Sequence, residues 1–150
     1  MTDADSNAAE LYRRHRPRRF KDVVGQPAAV AVLEEFVRSG TTPHCLSFVG
    51  PSGVGKTTLA RIMSRKLGCG RQDFTEVNAA SDRGIDMVRD IERRMGLAPM
   101  SGPCRAWVID EAHMLTRRAG GDAQSALLKI LEDTPRHVYF MLCTTDPNKL

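Results

Sequence analysis

Residues 50–57 constrain the fold of this chain more than any other segment. They read Gly-Pro-Ser-Gly-Val-Gly-Lys-Thr, a glycine followed by four variable residues and then Gly-Lys-Thr. An apolar run of strand length precedes them, and an amphipathic helical pattern begins near Lys56. This is the pattern of a phosphate-binding loop, because its glycines allow successive backbone N–H groups to converge on phosphate oxygens. A strand, such a loop and a helix in this order predict an α/β fold.

The same loop predicts a site for a nucleoside triphosphate and Mg²⁺. The positive end of the following helix dipole would add to the anion cradle. We expect Lys56 to reach the β- and γ-phosphates and the Thr57 hydroxyl to ligate Mg²⁺. The predicted nucleotide-binding residues of the loop are Gly50, Pro51, Ser52, Gly53, Val54, Gly55, Lys56, Thr57 and Thr58.

Strand and helix patterns alternate along the rest of the chain. Apolar runs predict four strands, at residues 45–49, 74–78, 106–109 and 138–143. Apolar residues three or four apart predict helices that open at Gln26-Pro27, near Lys56, at a cap formed by Ser81 or Asp82, and near Ala123. Continuous apolar strands alternating with amphipathic helices predict a mainly parallel sheet covered by helices on both faces.

Composition favours one globular domain. The chain has 150 residues, 41% of them apolar, and 22 Lys and Arg against 18 Asp and Glu, for a net charge of +4. No apolar run approaches the roughly 18 residues of a membrane span, so we expect a cytoplasmic protein with a disordered tail at residues 1–10. Single, separated cysteines predict reduced, buried thiols rather than a zinc site. These cysteines are Cys45, Cys69, Cys104 and Cys143.

A pair of acids follows the third predicted strand. Asp110 and Glu111 come directly after the apolar residues 106–109. Because the carboxyl ends of parallel strands line the ligand crevice, we expect both carboxylates beside the triphosphate. Asp110 would hold the Mg²⁺ shell and Glu111 would orient and polarise the attacking water, which favours hydrolysis over simple binding. His113, two residues further, is expected to pack or to support a site residue rather than to act as a catalyst.

Further strings of sequence narrow the class of protein. Residues 11–17 read Leu-Tyr-Arg-Arg-His-Arg-Pro, and residues 20–26 read Phe-Lys-Asp-Val-Val-Gly-Gln. Residues 78–86 read Asn-Ala-Ala-Ser-Asp-Arg-Gly-Ile-Asp, which resembles replication factor C small subunits. Residues 143–150 read Cys-Thr-Thr-Asp-Pro-Asn-Lys-Leu, which resembles the bacterial gamma/tau subunit. From residue 11 to residue 150 the chain therefore resembles the AAA+ ATPase subunits of sliding-clamp loaders.

The resemblance implies a P-loop AAA+ core that binds and hydrolyses MgATP in DNA replication. Its implied partners are other clamp-loader subunits, a sliding clamp and primer–template DNA, in a hetero-oligomeric ring. It places Thr145 at the sensor-1 position, which reads the γ-phosphate or its water, with Thr144 as the alternative neighbour. Together with Lys56 and Glu111, Thr145 completes the implied catalytic set. The residues that it places beside the adenine are Tyr12, Arg16, Pro17, Val23 and Val24.

The resemblance also implies surfaces for DNA and for the clamp. Arg83 would contact DNA phosphates from the start of a helix, and Arg117 and Arg118 from a loop that is a few residues longer than the family pattern. An ordinary solvated arginine is the alternative for each. The apolar residues 95–100 would either touch the clamp or plug the core as a buried loop.

Besides the longer loop with Arg117 and Arg118, the chain departs from the family in two further ways. After the P-loop helix it lacks the cysteine-rich zinc module of gamma/tau subunits. It also ends at Leu150, before the family's Ser-Arg-Cys motif, fifth strand and helical lid. We therefore expect residues 11–150 to form an incomplete core, with weak hydrolysis by the chain alone and self-association at an exposed first strand. The alternatives are another AAA+ DNA remodeller, such as a branch-migration motor, and a catalytically idle ATP-binding fragment.

Overall fold

Strands and helices alternate along the described part of the chain. A computed structural model describes residues 16–81, 84–115, 122–146 and 148. The strands are β1 (Cys45–Val49), β2 (Phe74–Asn78), β3 (Arg105–Asp110) and β4 (Val138–Thr144). The α-helices are α1 (Pro27–Ser39), α2 (Lys56–Lys66), α3 (Gly84–Met95) and α4 (Asp122–Glu132). All eight predicted elements are confirmed: the bounds of β1 and β2 match the prediction, and those of the others shift by no more than three residues.

One predicted helix cap is wrong. The Ser81 hydroxyl donates to the Asn78 carbonyl instead of to the start of α3, which begins at Gly84. A polar side chain that follows a strand can satisfy a turn as well as a helix end, and sequence does not distinguish the two. Asp82, the other candidate cap, lies outside the described residues.

The four strands form one parallel sheet in the order β1-β4-β3-β2. Val49 pairs with Thr144 and Asn78 pairs with Asp110, so the carboxyl ends of the strands meet at one edge. β3 and β4 lie in the centre and are buried along nearly their whole length. The expected α/β fold with a parallel sheet is therefore confirmed.

Helices cover both faces of this sheet, as the sequence pattern predicts. Successive residues of a strand point to opposite faces. Trp107 and Phe140 therefore pack with α3 and α4 on one face, while Val108 and Met141 pack with α1 and α2 on the other. Both clusters close directly beneath the carboxyl ends of β3 and β4, which fixes the positions of the residues that follow.

The cysteines do not all lie in the core. Cys104 and Cys143 are buried and Cys69 is half-buried, but Cys45 is exposed. The expectation that all four thiols are buried is wrong for Cys45 because β1 is an edge strand of the described sheet.

None of the helices in the described ranges is long and apolar enough to cross a membrane.

A buried ion pair fixes the segment that leads into β3. Asp73 is fully buried, and its carboxylate accepts from Met100 N–H and Ser101 N–H, both at 2.7 Å. It also lies 3.4 Å from the guanidinium of Arg105, the first residue of β3. Burial alone would raise the pKa of Asp73, but these N–H donors, the Ser101 hydroxyl and Arg105 together lower it from its usual value. The ionised pair therefore aligns β2 with β3 and the acids at the end of β3.

We predict that Asp73→Asn lowers the free energy of unfolding by about 3–5 kcal/mol at pH 7, because it leaves the Arg105 charge buried without its partner. Since the folded-state pKa lies below the roughly 3.9 of an unfolded Asp, the difference is fully present above about pH 5. The difference in unfolding free energy between wild type and Asp73→Asn shrinks as the pH falls through the folded-state pKa of Asp73. Urea unfolding at several pH values measures this difference, with the exposed Asp133→Asn as control. Equal stabilities of Asp73→Asn and wild type at pH 7 would contradict the prediction.

Candidate active site

The 50–57 loop joins β1 to the start of α2. Gly53 and Gly55 have φ angles of 82° and 92°, in the left-handed region where a side chain is strained. A Cβ on Gly50 would lie 3.1 Å from a methyl group of Val54. The glycines therefore let the backbone curl over the first turn of α2, so that its N–H groups face one point, as the sequence predicts.

Three contacts hold the loop in this shape. The Gly50 N–H donates to the Thr144 carbonyl at 3.2 Å, which ties the loop to β4. The Gln26 amide donates to the Val54 carbonyl at 3.4 Å from the start of α1. Lys56 Nζ donates to the carbonyls of Gly50 and Pro51 at 2.7 and 2.8 Å, so the ammonium sits against the loop backbone. The role of Gln26 has no local sequence signal, because its partner is 28 residues away.

The loop and the end of β3 line one cavity. Its walls combine loop backbone, three hydroxyls, one ammonium, one guanidinium and two carboxylates. The lining residues are Arg16, Ser52, Gly53, Gly55, Lys56, Thr57, Thr58, Asp110 and Glu111. Six of the nine predicted loop residues and both predicted acids therefore line one cavity, although more than 50 residues separate Lys56 from Asp110. Gly50, Pro51 and Val54 line an adjoining cavity.

The hydroxyl and the first carboxylate of this cavity are in contact. Thr57 Oγ1 donates to Asp110 Oδ2 at 3.2 Å, and the other oxygen, Asp110 Oδ1, accepts the Glu111 N–H at 2.9 Å. A hydroxyl and a carboxylate oxygen in one place are the hard oxygen ligands that Mg²⁺ takes in nucleotide sites. The residues present therefore fit a magnesium ion held between the loop helix and β3.

Glu111 has an unusual backbone. Its φ angle is 52°, and it is the one non-glycine residue with a positive φ in the described ranges. The Glu111 carbonyl accepts the Met114 N–H at 2.9 Å and thereby closes a turn directly after β3. A left-handed non-glycine residue costs about 1–3 kcal/mol and persists where the surroundings enforce it. This conformation turns the Glu111 side chain towards the cavity instead of continuing the strand.

Cys143 lies under the predicted magnesium ligands. Burial and then the Asp110 charge raise the pKa of its thiol to about 12, against the lowering effects of Lys56 and of a hydrogen bond with Thr57. The thiol is therefore neutral at physiological pH. A neutral thiol fills space beneath the site without adding a charge that would compete with Asp110.

The residues expected beside the adenine are only partly brought to the site. Arg16 lines the cavity, and Val23 packs into the core between the sheet, α1 and α2. Pro17 is half-buried, whereas Val24 is 93% exposed. Tyr12 lies outside the described residues. A second cavity, lined by Gln26, Ala29, Phe48, Val54 and neighbouring residues, adjoins the loop on the α1 side.

The two threonines at the carboxyl end of β4 differ in their surroundings: Thr144 is its last residue and Thr145 follows it. Thr144 is buried, and its hydroxyl lies 2.9 Å from His113 Nδ1. Thr145 is exposed, and its sensor role stays a prediction. His113 is buried, in agreement with the expectation that it packs or supports a site residue. The contact between His113 and Thr144 joins residues 31 positions apart, which is why the sequence alone does not reveal it.

The predicted DNA and clamp surfaces are described only in part. Arg83, Arg117 and Arg118 lie outside the described residues. In the 95–100 segment, Leu97 is 57% exposed and Met100 is 72% exposed. Leu97 and Met100 therefore do not plug the core, whereas Met95 packs against it. The backbone of the segment donates to Asp73 and accepts from Arg105.

Comparison with known proteins shows which family and relatives this chain resembles. The model of the AAA family, the ATPase family associated with various cellular activities, matches residues 46–150. The DNA polymerase III subunit gamma/tau of Mycobacterium bovis is 37% identical over 93% of this chain and 28% of that protein. The chain spans about a quarter of the length of the curated relatives it matches.

Solved structures share the fold. A point mutant of RuvB from Thermotoga maritima matches with a TM-score of 0.64 at 22% identity, over 91% of this chain and 44% of that chain. A DNA polymerase III gamma subunit-related protein from the same organism gives a TM-score of 0.60 at 18% identity, over 79% of this chain and 40% of that chain. At these identities the two structures show the fold alone.

We predict that Thr57→Val weakens the binding of a fluorescent adenosine triphosphate analogue by about 10-fold or more in the presence of Mg²⁺, because one ligand to the cation is lost. Thr57→Ser keeps the hydroxyl and should bind like wild type. Fluorescence titration with and without a chelator measures the effect, which should disappear when Mg²⁺ is removed. Wild-type affinity of Thr57→Val with Mg²⁺ would contradict the assignment.

Proposed function

The chain belongs to the AAA family of ATPases, and we propose that it binds and hydrolyses MgATP as a subunit of a sliding-clamp loader in DNA replication. The observation that carries the nucleotide chemistry is the 3.2 Å contact between Thr57 and Asp110. It brings the end of the phosphate loop and the end of β3 together at one point. Lys56 and Glu111 line the same cavity.

Each residue of the cavity has a distinct task in this proposal. Backbone N–H groups of the loop and the start of α2 bind the phosphates. Lys56 neutralises the β- and γ-phosphates, while Thr57 and Asp110 hold the magnesium ion. When bound, that ion draws charge from the transferred phosphoryl group. Glu111 orients a water and accepts its proton.

The base and the γ-phosphate have their own proposed contacts. Arg16, Pro17, Val23 and Val24 would flank the adenine together with Tyr12. Support for this placement is that Arg16 lines the phosphate cavity and that a second cavity adjoins the loop on the α1 side. Thr145 would sense the γ-phosphate, since it follows Thr144 at the carboxyl end of β4.

The sequences of residues 11–17 and 78–86 favour a clamp-loader role over that of a branch-migration motor. The gamma/tau likeness covers nearly the whole chain in sequence, whereas the RuvB likeness concerns the fold. A shared AAA fold is expected for both classes and does not separate them. The 11–17 and 78–86 strings are clamp-loader features that a motor would leave unexplained.

The proposed partners are other loader subunits, the sliding clamp and primer–template DNA. Arg83, Arg117 and Arg118 would contact DNA phosphates. For the clamp, the exposed Leu97 and Met100 offer two large apolar side chains close together in sequence. Large apolar side chains held in the open by a fixed loop are typical of a protein interface.

We predict that Lys56→Ala abolishes MgATP binding, because the charge that holds the phosphates is gone. Glu111→Gln should bind MgATP nearly as wild type does but should lose hydrolysis, since only water activation is removed. Calorimetry and phosphate release measure the two steps, with Lys66→Ala and Glu34→Gln as matched controls on exposed helix positions. Micromolar binding by Lys56→Ala, or equal loss of binding in both site variants, would refute these roles.

We also predict that the full chain binds the sliding clamp of its own replication system more tightly with MgATP than without nucleotide. Leu97→Asp with Met100→Asp should weaken that binding by about 10-fold or more, because each buried side chain contributes roughly 1.5–3 kcal/mol. Val32→Asp, at another exposed apolar position, is the control. Surface plasmon resonance measures the affinities. Tight binding to a four-way DNA junction without affinity for the clamp would support the motor instead.

A further inference from the structure

His113 lies between the second acid of the site and the end of β4. Its Nε2 atom is 3.4 Å from Glu111 Oε2, and its Nδ1 atom is 2.9 Å from Thr144 Oγ1. The His113 side chain is 10% exposed and that of Glu111 is 35% exposed. The imidazole is therefore enclosed, with one nitrogen facing each of these two side chains.

The partners of this imidazole indicate where its proton lies. A carboxylate only accepts hydrogen bonds, and a neutral imidazole has one N–H and one acceptor nitrogen, so the proton belongs on Nε2, the nitrogen that faces Glu111. The opposite tautomer would set a bare nitrogen against that carboxylate. Nδ1 then accepts from the Thr144 hydroxyl, which lies 2.9 Å from Nδ1 and 3.2 Å from its other acceptor, the Asp146 carbonyl. Thr144 Oγ1 itself accepts the Asp146 N–H at 3.1 Å.

We propose that His113 is a positioning residue that fixes the Glu111 carboxylate through its Nε2–H and is itself oriented by the Thr144 hydroxyl. The inference rests on the proposed ATP hydrolysis and names a residue that acts through Glu111. Thr144 is well suited to orient the ring, because its backbone carbonyl also accepts the Gly50 N–H of the phosphate loop. One residue of β4 thus connects the loop to the imidazole.

A glutamate needs such a support for a physical reason. Its backbone is fixed by the turn after β3, but its side chain has three rotatable bonds and loses conformational entropy when it is held. A donor at a fixed place selects the conformers that point into the cavity. Misplacement of a catalytic group by about 1 Å can cost up to about 100-fold in rate.

This role predicts a split between kcat and KM. His113→Phe keeps a ring of similar size without nitrogens and should lower kcat by roughly 10- to 100-fold, with the KM for ATP changed by less than about 3-fold. Thr144→Val should lower kcat about 10-fold, whereas Thr144→Ser keeps the hydroxyl and should restore it. His44→Phe is the matched control, since His44 stacks on Tyr139 at 4.7 Å away from the site.

The double variant separates this role from a direct contact of Thr144 with nucleotide. If Thr144 acts through His113, then His113→Phe with Thr144→Val should be no slower than His113→Phe alone. Thermal melting of each variant is the control that tests whether it is folded. Losses that multiply in the double variant, or wild-type kcat in His113→Phe, would overturn the inference.

A second readout needs no turnover. The ¹⁵N shifts of the His113 ring in the full chain should show a proton on Nε2 and an acceptor Nδ1 at neutral pH, and Thr144→Val should remove this preference. A ring with its single proton on Nδ1 overturns the inference even if the chain hydrolyses ATP. Wild-type protein that binds no MgATP would instead refute the proposed function, so the two failures are distinguishable.

Discussion

The insertion of β4 between β1 and β3 is the constraint on which the site depends. Parallel pairing sets the carboxyl ends of these strands side by side, and each end continues directly into a functional segment. Gly50 follows β1, Glu111 follows β3 and Thr144 ends β4. Their proximity is a property of the register, since a shift of one residue would send Asp110 and Thr144 to the opposite faces of the sheet. The cores on both faces hold that register, because β3 and β4 are packed against helices from each side.

The site uses polar groups that the core could not tolerate without partners. One oxygen of Asp110 accepts from the Thr57 hydroxyl and the other accepts from the Glu111 N–H, so both oxygens have hydrogen-bond partners. The Glu111 backbone is strained, and the turn that closes on Met114 offsets part of this cost. The stabilisation from the two large apolar clusters directly below offsets the remaining cost of the strained Glu111 backbone. In the proposed function, these contacts of Asp110 reduce the ordering that a bound nucleotide must impose.

Sequence alone predicts much of this molecule, for identifiable reasons. The strands, the helices, the P-loop and the acids after β3 follow from periodicity and from a motif with local geometry. Contacts between distant segments leave no such signal: Gln26 with Val54, Asp73 with Met100 and Ser101, and His113 with Thr144 are each separated by 27 or more residues. The exposure of Cys45 was mispredicted because an apolar run does not reveal whether its strand lies at the centre or the edge. Hydrophobic periodicity identifies a helix or strand within one segment, whereas the order of strands in a sheet depends on contacts between distant segments.

The proposed His113 contact also bears on how one AAA fold can serve different machines. This chain shares its fold with a point mutant of RuvB and with a gamma subunit-related protein, so the fold does not separate such machines. In our proposal they differ in the surfaces that partners touch and in the connections that carry a partner's movement to the active site. Thr144 is one such proposed connection, because its backbone contacts the loop and its side chain contacts His113. If Thr144 acts through His113, a shift of β4 would move Glu111 along with the phosphate loop rather than independently of it.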